Sequence, residues 1–522
     1  MKKLICLLTF CALAVSLSAQ NKVRENEAIR KLGIAQYAIS HLYVDSVNAM
    51  KLTEDAIKGM LSQLDPHSTY TDAAQTKAFS EPLRGDFEGI GVQFNMLDDT
   101  LVVIQPTDKG PSQKVGILAG DRIVRVNDTL IAGVKKPTEA IMKMLRGKKG
   151  TTVHLGVVRP GVKEEIKFDV VRDKIPLHTL DASYMIDGNT GYIRFGSFGQ
   201  KTPEEIRTAM RELMGKGMDR LIIDLRSNGG GFMEASVQIA NEFLSRGDMV
   251  VYTKGRAVPS TEYKARGGGM FTKGKVAVLI DEFSASAAEI LAGALQDNDR
   301  AAIVGVRSFG KGLVQQPVQL PDGSMIRLTV SRYYTPAGRC IQKPYKPGEK
   351  EAYSLDELNR LRSGELFHAD SIHHNDSLKC FTLKKHRPVY GGGGIIPDYF
   401  VPLDTMIYTK YYRSLSRKNL ILPAGTKYID RHRVSIKEKY PEFKNFKNNY
   451  EVPRELVDSI FAAGEKSKIT AKDEEEKTKT AALLAKTLKA LVARDIWDTS
   501  QYFQIINEGD ATIEKARQVI SK

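Results

Sequence analysis

The sequence predicts an α/β core carrying a small β-rich insertion, with helical regions at both ends. Two observations predict the core. The runs Asp219-Arg-Leu-Ile-Ile-Asp224 and Lys275-Val-Ala-Val-Leu-Ile280 are almost continuously apolar, the pattern of parallel strands buried on both faces. Between the second run and Ala301-Ala-Ile-Val304 lies the small-residue helical stretch Ser286-Ala-Ala-Glu-Ile-Leu-Ala-Gly-Ala-Leu-Gln296, so strand, helix and strand alternate. A third observation marks the insertion. From Gly85 the pattern changes to short strands with turn residues at Asp98-Asp99 and Gly120-Asp121.

The 522 residues suit roughly three or four domains at about 150 residues each. Met1-Lys2-Lys3 is basic, Leu4 to Leu17 is apolar but short for a membrane span, and Ser16 to Gln20 offers small residues for cleavage. Residues 1–19 are therefore expected to be an export signal, and the mature protein soluble. Cys6 and Cys11 leave with it and lack a lipid-attachment setting, Phe10 being bulky. Cys340 and Cys380 remain, enough for one disulfide but not for a disulfide framework.

Residues 20–84 read as helical, with apolar residues at three-to-four spacing in Glu25 to Leu32 and in Thr53 to Leu61, the second capped by Thr53. Residues 85–173 form the β-rich insertion. Within it Pro137 to Gly147 is a helix with Pro137 in its first turn, and 151–172 a closing hairpin. The core occupies 174–404. Its strand Gly191 to Phe198 precedes a helix from Thr202, with Thr202 as N-cap and Glu205 completing a capping box. A polar stretch, about 345–390, reads as an irregular insertion, and 405–522 as a basic, largely helical extension.

Hydrophobic residues make up 42% and charged residues 27%, ordinary for a globular protein. The formal net charge is +15, but the lysines are scattered and no nucleic-acid motif accompanies them. A solvated basic surface is expected, without nucleic acid as a partner.

Gly305-Val-Arg-Ser-Phe-Gly-Lys311 imitates a phosphate-binding loop. Such a loop needs a hydroxyl after the lysine and then a helix, whereas Gly312 and the alternating Leu313 to Leu320, with Pro317 inside, give a strand or bent loop. Lys311 needs another role. Ser286 stands between a buried strand and a helix, where the next N–H, that of Ala287, points toward developing negative charge. Lys311 follows the next strand, so it reaches the same sheet edge. A lysine acts as general base when neutral, its pKa having fallen from about 10.4 to roughly 7–8. Glycines at 310 and 312 let the backbone pass closely, and the amide of Gln315 is placed to orient the amine. Asp224-Leu-Arg-Ser-Asn-Gly-Gly-Gly231 ends another buried strand, and its glycine N–H groups suit an oxyanion.

Together with Gln63-Leu-Asp-Pro-His-Ser-Thr-Tyr70, Phe87-Glu-Gly-Ile-Gly-Val92, Tyr333-Tyr-Thr-Pro-Ala-Gly-Arg-Cys-Ile-Gln-Lys-Pro344 and Gly391 to Pro402, these motifs occur in the order of the carboxyl-terminal processing peptidases, which the sequence resembles from 63 to 402. The resemblance implies a ClpP/crotonase-like α/β core, an inserted PDZ domain and a Ser/Lys dyad needing no cofactor. Ser286 becomes the nucleophile, Lys311 the general base and Gln315 its orienting partner; Ala287 with Gly229 or Gly230 supplies the oxyanion hole. Gly89, Ile90, Gly91 and Val92 resemble the loop by which PDZ domains take a terminal carboxylate. The implied partners are proteins with free C-termini, and the implied compartment is the periplasm of a Gram-negative bacterium. The helical ends suit self-association, and the resemblance leaves room for an adaptor protein and peripheral membrane contact. Asp281 and Phe283 stand where the family usually has Asn and Gly, and Ala288 replaces a common serine. The rival from another class is an inactive PDZ adaptor, against which the retained serine, lysine and glutamine argue. His67 is read as part of a turn. His368, His373, His374, Cys380 and His386 are too irregularly spaced for a metal site and read as a polar loop.

Overall fold

A computed structural model describes residues 26–403 and 408–522. The expected export signal, with Cys6 and Cys11, lies outside the described residues. The chain divides into two compact units. One comprises residues up to Thr76 with Gln315–Thr329 and Tyr345–Ser354; the other comprises Lys77–Val314, Val330–Pro344 and Leu355–Lys522.

In the first unit, helices over 26–42 and Ala49–Ser62 precede a strand, Thr69–Thr71, paired antiparallel with Met325–Arg327. The second helix starts earlier than expected. Asn48 caps it, its side chain accepting from Lys51 N–H, while Thr53 lies inside and donates to the Ala49 carbonyl. Asp65 organises the following turn, accepting from the N–H groups of His67 and Ser68 and the hydroxyls of Ser68 and Thr329. His67 is held in that turn, its Nε2 2.9 Å from the Tyr353 hydroxyl.

The second unit contains the α/β core. Strands Leu180–Met185, Thr190–Phe195, Arg220–Asp224, Lys275–Ile280, Ala302–Gly305 and Tyr399–Phe400 form one sheet in that order, parallel from the second onward. Helices Thr202–Gly215, Met233–Asn241 and Ala287–Asp297 bury their apolar residues in a cluster with Ile193, Ile223, Val278 and Ile303. The other sheet face, with Tyr192, Ile222, Ala277 and Leu279, is covered by Ile513, Ala516 and Ile520 of the helix Ala511–Ser521. Both faces are covered, which is why these strands are apolar throughout.

The expected cap at Thr202 is displaced. Lys201 is the N-cap, the Thr202 hydroxyl accepts from Gly199 N–H, and the Glu205 carboxylate accepts from the N–H groups of Thr179 and Leu180 instead of closing a capping box. A non-local partner has taken the side chain that local spacing reserved for the cap.

The β-rich insertion has its own core of Leu101, Val103, Ile123, Ile141, Val153 and Leu155. Its hairpin Val92–Leu97 to Thr100–Pro106 turns through Asp98 and Asp99, whose φ angles of 45° and 56° fit the primed turn that matches strand twist. Pro137 proves to be the N-cap of the helix Thr138–Leu145 rather than a first-turn residue. The polar stretch after 345 is more ordered than expected. It contains helices Lys350–Ser354 and Asp356–Arg362 and a strand pair, Lys379–Phe381 with Pro388–Tyr390, and Arg360 is buried against Glu365. Beyond 408 the chain is helical, with clusters around Leu491, Phe446 and Ile429 and around Leu415, Ile460 and Leu484. The charge run 472–477 is a helix start, Asp473 capping three glutamates in the first turn. No described helix is long and apolar enough to cross a membrane.

Candidate active site

Two parallel strands deliver Ser286 and Lys311 to one edge of the core sheet. Ile280 and Gly305 are registered partners, and Ser286 and Lys311 each lie six residues beyond them. Ser286 occupies the sharp turn into the helix Ala287–Asp297 with φ 58° and ψ −114°. A non-glycine residue at such angles costs on the order of 1–3 kcal/mol and persists only where its surroundings enforce it.

The enforcement is visible. The Glu289 carboxylate is fully buried and accepts four hydrogen bonds. Oε2 takes the N–H of Ser286 at 2.8 Å and of Lys311 at 2.9 Å; Oε1 takes the Ser308 hydroxyl at 2.5 Å and the Gly310 N–H at 2.7 Å. Burial pushes this carboxyl up, and the bonds from Ser308, Lys311, Gly310 and Ser286 pull against that. The Tyr333 hydroxyl lies 2.6 Å from the Lys311 carbonyl and 3.2 Å from that of Ser286, so a second group grips both segments. Ser284 stitches the turn further, donating to the Leu225 carbonyl and accepting from Asp281 N–H.

The glycine run passes against this turn. A Cβ on Gly230, whose φ is +95°, would stand 2.7 Å from the Ala285 carbonyl oxygen, 2.8 Å from the Ser286 Cβ and 2.9 Å from the Ala287 nitrogen. The Gly230 N–H donates to Asn228 Oδ1 at 2.9 Å. The N–H groups of Gly229 and Ala287, by contrast, have no acceptor among the described residues. Asn228 is itself fixed, its amide donating to the Phe195 carbonyl and its carbonyl accepting from Ala285 N–H. Asp281 accepts from the N–H groups of Ser227 and Phe283, and the Phe283 ring is 45% exposed beside it.

Behind the glycines, Asp224 is fully buried among Tyr192, Arg194 and Arg226, and Arg226 reaches Asp510 at 2.8 Å. Burial alone would raise the Asp224 carboxyl, but Arg226 and Arg194 pull it to about 2.

The phosphate-loop resemblance fails structurally as well. Leu313–Gln319 is a strand, so no helix N-terminus follows the glycines. Close approach explains them instead, since a Cβ on Gly312 would meet the Gln342 nitrogen at 2.8 Å and one on Gly310 the Gly394 nitrogen at 3.1 Å. Gln315 belongs to the first unit, where its side-chain amide donates to the His67 carbonyl.

In the insertion, Ile90 is buried and its carbonyl accepts from the N–H and hydroxyl of Ser112. Gly91 has φ +72°, and a Cβ there would stand 2.9 Å from Ile175. Val92 opens the edge strand of the sheet. Cys340 and Cys380 are free thiols. No group of three or more His, Cys, Asp or Glu side chains among the described residues gathers to hold a metal ion. The polar loop's His374 ring lies against that of Tyr390, 4.4 Å away and tilted by 34°.

Sequence reasoning passed over Glu289 and Tyr333. Glu289 had a signal, a glutamate three residues after the serine at a helix start. Tyr333 opens the motif that runs to Pro344, but its distance in sequence from Ser286 and Lys311 gave no sign that it grips both.

Comparison with known proteins agrees with this architecture. Residues 189–348 match Peptidase family S41, 89–170 the PDZ domain, 12–75 the activating protease CtpB N-terminal domain, and 411–498 a family of unknown function. The carboxy-terminal processing protease CtpB of Bacillus subtilis is 39% identical over 359 residues, 68% of this chain and 73% of that protein. A carboxy-terminal-processing protease of Bartonella bacilliformis is 36% identical over 335 residues, 63% of this chain and 76% of its own length. The solved photosystem II D1 C-terminal processing protease aligns over 71% of this chain and 92% of its own at 26% identity, with a TM-score of 0.35. The chain belongs to the carboxy-terminal processing proteases of peptidase family S41, and is a serine peptidase with a PDZ domain.

Proposed function

We propose that this peptidase is exported, acts in the periplasm, and cleaves protein substrates near their C-termini through a Ser286/Lys311 dyad on a ClpP/crotonase-like core. Neutral Lys311 accepts the Ser286 proton as Oγ attacks the scissile carbonyl. The N–H groups of Ala287 and Gly229 stabilise the oxyanion, Gly230 being engaged with Asn228. The lysine then returns the proton to the leaving amine, and water hydrolyses the acyl-enzyme. The Gly89–Val92 loop takes the substrate's terminal carboxylate, and its tail pairs with the edge strand Val92–Leu97.

One observation carries the reading: the single buried carboxylate of Glu289 holds the N–H groups of both Ser286 and Lys311. A structural turn has no need to be tied to a lysine loop on the neighbouring strand. The test is to incubate the mature protein, and its Ser286→Ala form, with a bacterial envelope proteome and sequence the new C-termini. New termini clustered near the original ends, absent with the variant, are expected. The same termini from both proteins would end the assignment.

A further inference from the structure

The strand Thr100–Pro106 is buried on both faces although it belongs to a small domain with one core. Leu101 and Val103 point into that core, while Val102 and Ile104, 2% and 8% exposed, point away from it. The outer face is covered by the helix Ile421–Lys439, part of the segment that matches a family of unknown function. Val102 and Ile104 line a small cavity together with Thr426, Ile429, Asp430 and Arg433 of that helix and with Asp495. Three polar contacts surround the apolar patch. Arg122 meets Asp430 at 2.6 Å, Lys427 meets Asp98 at 3.1 Å, and the Asn95 amide donates to the Thr426 hydroxyl at 3.2 Å.

The helix meets the edge strand Val92–Leu97 through the Asn95 side chain, which donates to Thr426. No backbone hydrogen bond joins the two among the described residues, and the strand is terminal in its sheet. Val92, Phe94 and Met96 face the domain core, whereas Asn95 faces the helix. The contact therefore grips the outer sheet face and leaves open the edge onto which an extended peptide adds.

We propose that the C-terminal extension is an intramolecular clamp for the PDZ domain: its helix Ile421–Lys439 holds the outer sheet face through the Arg122–Asp430 pair and the Asn95–Thr426 hydrogen bond, over the buried Val102 and Ile104, fixing the position from which a substrate tail is presented. The presentation rests on the tail-binding reading above; the clamp does not.

The test uses the protein from Gln20 onward, which lacks Cys6 and Cys11. For the clamp, Asn95→Cys and Thr426→Cys are placed in a Ser286→Ala, Cys340→Ser, Cys380→Ser background and joined by a short bis-maleimide. Adding Asp430→Arg sets two guanidinium groups against each other and should cut the cross-link yield about tenfold, and the exchange Arg122→Asp with Asp430→Arg should restore it. For presentation, Asp430→Arg in the otherwise unaltered enzyme should lower kcat/KM for a free-acid peptide about tenfold through KM, with recovery in the exchanged pair. An unchanged yield with Asp430→Arg, or no recovery on exchange, would overturn the clamp whether or not tails are bound. A normal response in yield with unchanged or increased kcat/KM would overturn presentation alone.

Discussion

At Glu289, four donors converge on one carboxylate that water does not reach. Glu289→Gln keeps the volume but turns an amide NH2 toward N–H groups or a hydroxyl that need an acceptor. Leaving such donors unmatched costs about 1–3 kcal/mol, and the displaced turn should lower kcat about 10²-fold with KM little changed. Steady-state kinetics and a thermal melt check this, and kcat within twofold of the parent would show that the carboxylate is only structural. Lys311→Arg should inactivate for a different reason, because a guanidinium stays charged and cannot accept the serine proton. Its melt should match the parent while turnover of a peptide is lost. The two residues differ in legibility. Lys311 drew notice by imitating a nucleotide motif, while Glu289 was passed over because its importance lies in which two loops it joins, and loop proximity is not written in local spacing.

At the scale of elements, the strand end Arg220–Asp224 is the acid-sensitive part of the core. Asp224 titrates at about 2 when folded, against 3.8 ordinarily, so its depressed value contributes stability above the ordinary value that is lost as pH falls through the folded one. Unfolding measured by denaturant should therefore become easier between about pH 4 and 2, and Asp224→Asn should flatten that part of the profile. A variant with the parent's acid profile would contradict the assignment. Parallel strands were easy to recognise because both faces are apolar, and the Asp98-Asp99 hairpin because its turn chemistry is local. Caps were harder. Thr202 and Glu205 had the right spacing, yet the N–H groups of Thr179 and Leu180, where the strand Leu180–Met185 begins, took the Glu205 carboxylate. Tertiary contacts can redirect any polar side chain at a helix end, so spacing alone set these boundaries wrongly.

For the whole molecule, an S41 core with a PDZ domain was legible, and the layer that covers Val102 and Ile104 was not. Leu101 to Ile104 follow the Asp98-Asp99 turn as a continuous apolar run, and such a run in a small half-exposed sheet already signals a second covering layer. The charged, amphipathic helices beyond 408 do not reveal which surface they cover, because many surfaces would satisfy the same stripe. Tail recognition makes a prediction at this scale. Amidating the C-terminus of a substrate peptide removes the charge that the Gly89–Val92 loop is proposed to take, so binding and cleavage should weaken together; equal cleavage of acid and amide would make the PDZ domain a spacer. The most direct measurement of the central chemistry is to react the enzyme with a slow acylating ester, locate the adduct by peptide mass spectrometry, and follow its formation over roughly pH 6 to 9. The account predicts a single adduct on Ser286, formed faster as pH rises and absent in Lys311→Arg. An adduct on another residue, or formation at the parent rate in Lys311→Arg, would contradict it.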